Sequence, residues 1–211
     1  MIPVDSLITF VVASALLSVA PGPDNIFVLT QSALYGKKSG ILVTLGLCTG
    51  LIVHTTAVAV GVAAIFQTSI VAFTVLKLLG AAYLLYLAWQ AFRASASQLD
   101  ASEPGLRSHG ALYRRGIIMN ITNPKVSIFF LAFLPQFASP EHGQLAPQIF
   151  FLGAVFICVA LVVFSSIAIL AGQLGGWLGN SPRAQIYLNR IAALVFTGLA
   201  LKLLTSSAQG D

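Results

Sequence analysis

Of the chain's 211 residues, 57% are hydrophobic and 8% are charged, with a formal net charge of +5. Soluble domains carry about 25% charged residues, and a single core of this size could not hide so much apolar surface, which excludes a soluble globular protein. The basic excess sits between apolar runs and forms no stripe interleaved with exposed aromatics, so no nucleic-acid site is read here.

The pattern predicts an all-α membrane protein of six transmembrane helices, at roughly 7–34, 40–65, 69–92, 116–137, 146–172 and 186–204. Residues 41–76 contain no Asp, Glu, Lys or Arg, a run well beyond the roughly 20 apolar residues that cross a hydrocarbon core. The first run is preceded by Asp5 and by no basic residue, so it reads as a retained helix, since a signal peptide has a positive start. It is longer than a span needs and is broken at Pro21-Gly22-Pro23. A turn at Tyr35-Gly36-Lys37-Lys38 leads to the second span, whose Gly46, Gly50 and Gly61 suit close helix packing. A polar stretch over 95–115 separates the third and fourth spans, and Pro124 breaks the fourth. Ser139-Pro140-Glu141-His142-Gly143 and residues 175–182 supply the remaining turns.

Lys37 and Lys38 lie in the first connection, Arg93, Arg107, Arg114 and Arg115 in the third, and Arg183 and Arg190 at the fifth, whereas the second and fourth have neither Lys nor Arg. The positive-inside bias then places the odd loops in the cytoplasm and both termini outside. Lys202 near the outer end dissents and can snorkel. The stretch Leu76-Lys77-Leu78-Leu79-Gly80-Ala81-Ala82-Tyr83-Leu84 is similar to Leu188-Asn189-Arg190-Ile191-Ala192-Ala193-Leu194-Val195-Phe196, and the first span of each half carries a proline break. The expected organisation is a three-helix repeat over 1–92, a cytoplasmic loop over 93–115, and a second repeat over 116–211. An odd span number inverts the halves, a transporter pattern whose site lies where interrupted helices meet.

A proline removes one backbone donor and collides with the carbonyl four residues earlier. Pro21 and Pro23 should therefore free the carbonyls of Leu17 and Val19, and Pro124 that of Asn120. Free carbonyls suit an ammonium, and the amides opening each second half-helix suit a carboxylate, the two charges of an amino acid. The polar side chains gather at these breaks: Asp24 and Asn25 at the first, Asn120, Asn123 and Lys125 at the second. Ionisable groups within spans mark function by default. Pro23 lies about 21 Å and Pro124 about 14 Å from the basic edge at roughly 1.5 Å per residue; if part of 34–37 is loop the two depths converge, and Asp24 and Lys125 could then meet across the bundle. His54 reads as an interhelical hydrogen bond or a proton relay, Gln31 as packing or path lining, and Lys77 as a snorkelling residue.

Ser18-Val19-Ala20-Pro21-Gly22-Pro23-Asp24 followed by Asn120-Ile121-Thr122-Asn123-Pro124-Lys125 resembles the LysE/RhtB family of bacterial amino-acid exporters. Gly80-Ala81-Ala82-Tyr83-Leu84-Leu85-Tyr86-Leu87-Ala88 and Phe129-Phe130-Leu131-Ala132-Phe133-Leu134-Pro135-Gln136-Phe137 match as well, over essentially the whole chain. Ala193 and Ala200 depart from it, standing where the family often has Gly. The resemblance implies a multi-pass protein of the bacterial inner membrane that effluxes amino acids or small derivatives, driven by protons. Asp24 is the one acid near the breaks, so neutral substrates are expected over lysine or arginine. The working reading is alternating access: Lys125 with the half-helix amides holds the substrate carboxylate, Asn120 and Asn123 orient it, and Asp24 takes the ammonium or the coupling proton. No cofactor or enzyme activity is expected; the partners are substrate, protons and the bilayer, and a homodimer is compatible with so small a bundle. Two rival readings are thiol-redox electron transfer through Cys48 and Cys158, and metal-ion export. Neither cysteine adjoins a break, and no span carries a metal-ligand cluster.

Overall fold

The computed structural model describes residues 2–68, 70–94, 108–179 and 182–205. The elements are α1 (Val4–Val19), α2 (Pro23–Tyr35), α3 (Lys37–Thr68), α4 (Ile70–Arg93), α5 (His109–Ile121), α6 (Pro124–Ile128), α7 (Leu145–Gly179) and α8 (Pro182–Thr205). After α6 the chain continues as a π-helical turn over Phe129–Phe133 and a 3₁₀ turn over Leu134–Phe137; a second 3₁₀ turn, Pro140–His142, precedes α7. There is no strand among the described residues. Most of the expected cytoplasmic loop 93–115, Arg107 included, lies outside them.

The helices outrun the apolar segments. α3 already includes Lys37 and Lys38, which the sequence placed in the turn; the reversal falls on Gly36 alone, whose φ of 85° is the left-handed region open to glycine. α5 starts at His109, seven residues before the expected span. Long basic side chains let a helix continue past the apolar zone while their charges reach water. Among the described residues, α3 over Lys37–Gly61 and α7 over Leu145–Ala171 are each long and apolar enough to cross a membrane. The bent pairs α1–α2 (59°) and α5–α6 with its continuation (49°) bring the total to four if each pair forms one span.

α3 is central, packed against α5, α7 and α2, while α4 packs along α8. On α3, Gly46 lies against Tyr113 and Gly116 of α5, and Gly50 against Asn120, so these two helices run the same way. Thr55 of α3 lies against Gly153 and Gly40 against Ala168, so α7 runs the other way. The basic ends of α3, α4 and α5 therefore share one end of the bundle with the C-terminal end of α2, and Asp5 with Glu141 stands at the other.

The α3–α5 contact is backbone on backbone. A Cβ on Gly46 would overlap the Tyr113 carbonyl, and one on Gly116 the Val43 carbonyl. Neither backbone can yield cheaply. Gly46→Ala and Gly116→Ala are each expected to destabilise the protein by about 1–3 kcal/mol, read as a lower melting temperature in detergent. Gly61→Ala, where nothing lies within 4 Å, is the neutral control.

Candidate functional site

The two helix breaks lie side by side, and each is closed by polar groups of the other. At the first break the last intrahelical bond runs from the Ala20 amide to the Leu16 carbonyl, leaving the following carbonyls without helical donors. The Lys125 ammonium donates to the carbonyls of Ala20 (2.9 Å) and Leu17 (3.3 Å). Asn25 Nδ2 donates to the Ser18 carbonyl at 2.6 Å. Leu17 was expected among the freed carbonyls; the others taken are Ser18 and Ala20, not Val19, because the chain leaves the helix at Ala20 and turns those oxygens inward. The carbonyl end of α1 is the negative end of its dipole, which suits the Lys125 cation.

At the second break, Asn120 Nδ2 donates to Asp24 Oδ2 at 3.3 Å. The Asn120 carbonyl, which Pro124 frees from the helix ladder, accepts the Asn123 amide (3.0 Å) and lies 3.1 Å from His54 Nε2 of α3. His54 is thus an interhelical partner of the break. α6 opens with Asn123 as N-cap and Pro124 at its first position, and the Asn123 Oδ1 accepts the Lys125 amide at 3.0 Å. That amide is accordingly taken by the chain itself. α2 opens on Gly22 and Pro23 with no side-chain cap.

Asp24, Asn25, Asn120, Asn123 and Lys125 are all buried, so every polar side chain picked out at the breaks is drawn into one region. Pro21 and Gly22 are half-buried, and Pro23 and Pro124 exposed. Gly22 is a close-approach position: a Cβ there would stand 3.0 Å from Lys125 Nζ. Lysine has three ammonium donors; two serve carbonyls, leaving one. A small cavity of about 10 Å³ is lined by Ser18, Asp24, Asn120 and Lys125 and walled by Leu17, Leu51, Val126, Phe156 and Phe164. Such a volume holds about one water molecule.

Several buried polar atoms here have no hydrogen-bond partner: Ser18 Oγ, Asp24 Oδ1, Asn25 Oδ1, Asn120 Oδ1 and Asn123 Nδ2, with Gln31 Oε1 and Ser32 Oγ further along α2. Each costs about 1–3 kcal/mol if nothing meets it, so the site is built at the expense of stability. Towards the Asp5 end the surroundings change. Phe10, Phe129, Phe130, Phe133, Phe137 and Phe156 are buried together, with ring centroids 4.8 Å apart for Phe129–Phe133 and 5.0 Å for Phe130–Phe156. The π-helical turn supplies three of these rings, a deviation from the α-helix that is frequent at functional sites.

Ser18, Phe156 and Phe164 line the cavity and were not singled out from the sequence. Ser18 stands three residues before Pro21, a signal that could have drawn it in; the two phenylalanines lie in an apolar helix where nothing separates lining from packing. Cys48 is buried and Cys158 exposed, both free, and neither lines the cavity. No metal-ligand group occurs among the described residues.

The family model described as LysE type translocator matches residues 15–207, which include both breaks. The chain is 36% identical over 187 residues to the homoserine/homoserine lactone efflux protein of Salmonella typhimurium, covering 89% of this chain and 90% of that protein. The protein of the same name from Salmonella typhi gives the same figures. An uncharacterized membrane protein of Vibrio cholerae is 30% identical over 201 residues, covering 95% of this chain and 97% of that one. No solved structure matches the chain. With the match running through the breaks and over nearly its whole length, the chain belongs to the LysE type translocator family.

Proposed function

We propose that the protein exports small amino acids with uncharged side chains from the cytoplasm, homoserine and its lactone first among them, in exchange for protons. Its family and the efflux named for the Salmonella relatives support the class of cargo and its direction. The observation that carries the reading is the crossed bonding of two helix breaks around a cavity with one carboxylate, one ammonium and unpartnered polar atoms.

Asp24 takes the substrate ammonium or the proton that replaces it, and the third Lys125 donor takes the substrate carboxylate. Asn120 and Asn123 orient the backbone of the amino acid, while Leu51, Val126, Phe156 and Phe164 face its side chain. Asp24 is the one carboxylate in the lining, which leaves a cationic side chain without an anchor. A cavity sized for one water is closed around its site, so substrate enters only when the bundle opens. In this reading six spans form two inverted halves, 1–92 and 116–211, that rock about the breaks in a bacterial inner membrane. The termini lie outside and the 93–115 loop inside. The phenylalanine cluster is the outer barrier, and Gln31 and Ser32 mark the inner approach.

The lactone keeps the ammonium of homoserine but has its carboxyl group closed into the ring. Purified protein in vesicles loaded with labelled homoserine, homoserine lactone or lysine, under an imposed proton gradient, tests the reading. Gradient-stimulated movement is expected for the first two and not for lysine, and Lys125→Gln should reduce homoserine movement far more than that of the lactone. Folded protein that moves no amino acid under the gradient would overturn the proposal.

A further inference from the structure

A second concavity lies away from the breaks, on the outer face of the α4–α8 pair. It measures about 440 Å³ and is lined by Leu85, Ala88, Trp89, Phe92, Ala193, Leu194 and Thr197, with Arg190 as its one charged residue. The Asn189 side chain reaches the Ala94 carbonyl at 3.4 Å, tying α8 to the end of α4 and bringing Arg190 level with Arg93. Both guanidinium groups are stacked: Arg190 over Phe92 at 5.6 Å and Arg93 over Trp89 at 5.2 Å. Stacking on an aromatic face leaves the N–H edge of each fork free to grip a phosphate.

We propose that this groove binds one anionic phospholipid, with its phosphate on Arg190 and Arg93 and an acyl chain laid between α4 and α8. An apolar trough that ends in two preorganised cations complements an amphiphile with an anionic head. A free phosphate would satisfy the arginines and leave the trough unfilled. Among the described residues, a second copy of the chain supplies no matching anion. The acidic side chains among the described residues are Asp5, Asp24 and Glu141, none of them on α4 or α8. Asp5 and Glu141 stand at the opposite end of the bundle, and copies related by an axis along the membrane normal would bring arginines to arginines.

Trp89 lies in the groove and reports on it. With Trp177→Phe, Trp89 is the single tryptophan, since the chain has two. The protein is placed in phosphatidylcholine vesicles containing a minor fraction of brominated phosphatidylglycerol or, separately, of brominated phosphatidylcholine, and quenching of Trp89 is measured. The anionic lipid should quench beyond its mole fraction, with a preference of about fivefold per arginine. That preference should fall to about one in Arg93→Ala/Arg190→Ala and partly persist in Arg190→Lys, which guards against a folding defect. Added glycerol phosphate should not compete. Equal quenching by the two lipids, a preference that survives loss of both arginines, or shielding of Trp89 from either lipid by a second copy would each overturn the assignment.

Discussion

Lys125→Met is expected to abolish homoserine transport and to lower stability by about 3 kcal/mol. The ammonium is buried and holds the Leu17 and Ala20 carbonyls. Methionine fills much of the same volume but offers no donor, so two carbonyls at the end of α1 lose their partner and Asp24 loses its neighbouring cation. Breaking a buried charged arrangement by removing one side costs about 3–5 kcal/mol, and solvent entry through the opened break offsets part of it. Lys125→Arg should not rescue transport. Gly22 already approaches so closely that a Cβ would stand 3.0 Å from Nζ, and the larger planar fork cannot sit on both carbonyls there. Melting in detergent reads the stability loss. Combining Lys125→Met with Asp24→Asn should recover part of it, because both buried charges are then gone. Strictly additive losses in the double variant would mean that the two residues do not sense each other.

Asp24→Asn is expected to fold and yet to lose at least about 100-fold in gradient-driven transport, the loss of one essential charge contact costing about 3 kcal/mol or more. The amide is nearly the same size, and its oxygen still accepts from Asn120 Nδ2, which now binds Oδ2 at 3.3 Å. What disappears is the negative charge for a substrate ammonium and the oxygen that can carry a proton. Melting should therefore shift little beside Lys125→Met. Vesicles bearing the variant that still concentrate substrate under a proton gradient would remove Asp24 from the coupling step.

The two breaks and the polar side chains gathered between them were legible because proline and buried charge are strong local signals. Pro21, Pro23 and Pro124 mark the breaks, and Asp24 and Lys125 line one cavity between them, but Asp24 accepts from Asn120 while Lys125 donates to the Leu17 and Ala20 carbonyls. The detail was less legible. Asn25 was expected to bind substrate, but its Nδ2 is spent on the Ser18 carbonyl, leaving Oδ1 for any other partner. Which carbonyls would turn inward depended on where α1 unwinds, at Ala20, and a proline rule based on four-residue spacing names Val19 instead. The Phe129–Phe133 π turn has no mark in its residue types, since FFLAF suits an ordinary helix equally well. Helix ends ran past their apolar segments because Lys37 and His109 carry polar ends that tolerate the interface.

The central claim, that substrate sits between the two breaks, is tested most directly by substrate protection at Ser18, which lines the cavity with an unpartnered hydroxyl. Ser18→Cys would be introduced into a Cys48→Ala/Cys158→Ala background, with Glu141→Cys at an exposed site as control. Labelling by a small water-soluble thiol reagent is then timed with and without a transported amino acid. The account predicts slower labelling at position 18 in the presence of substrate and no change at position 141. Labelling at position 18 that proceeds at the same rate in saturating substrate would contradict it.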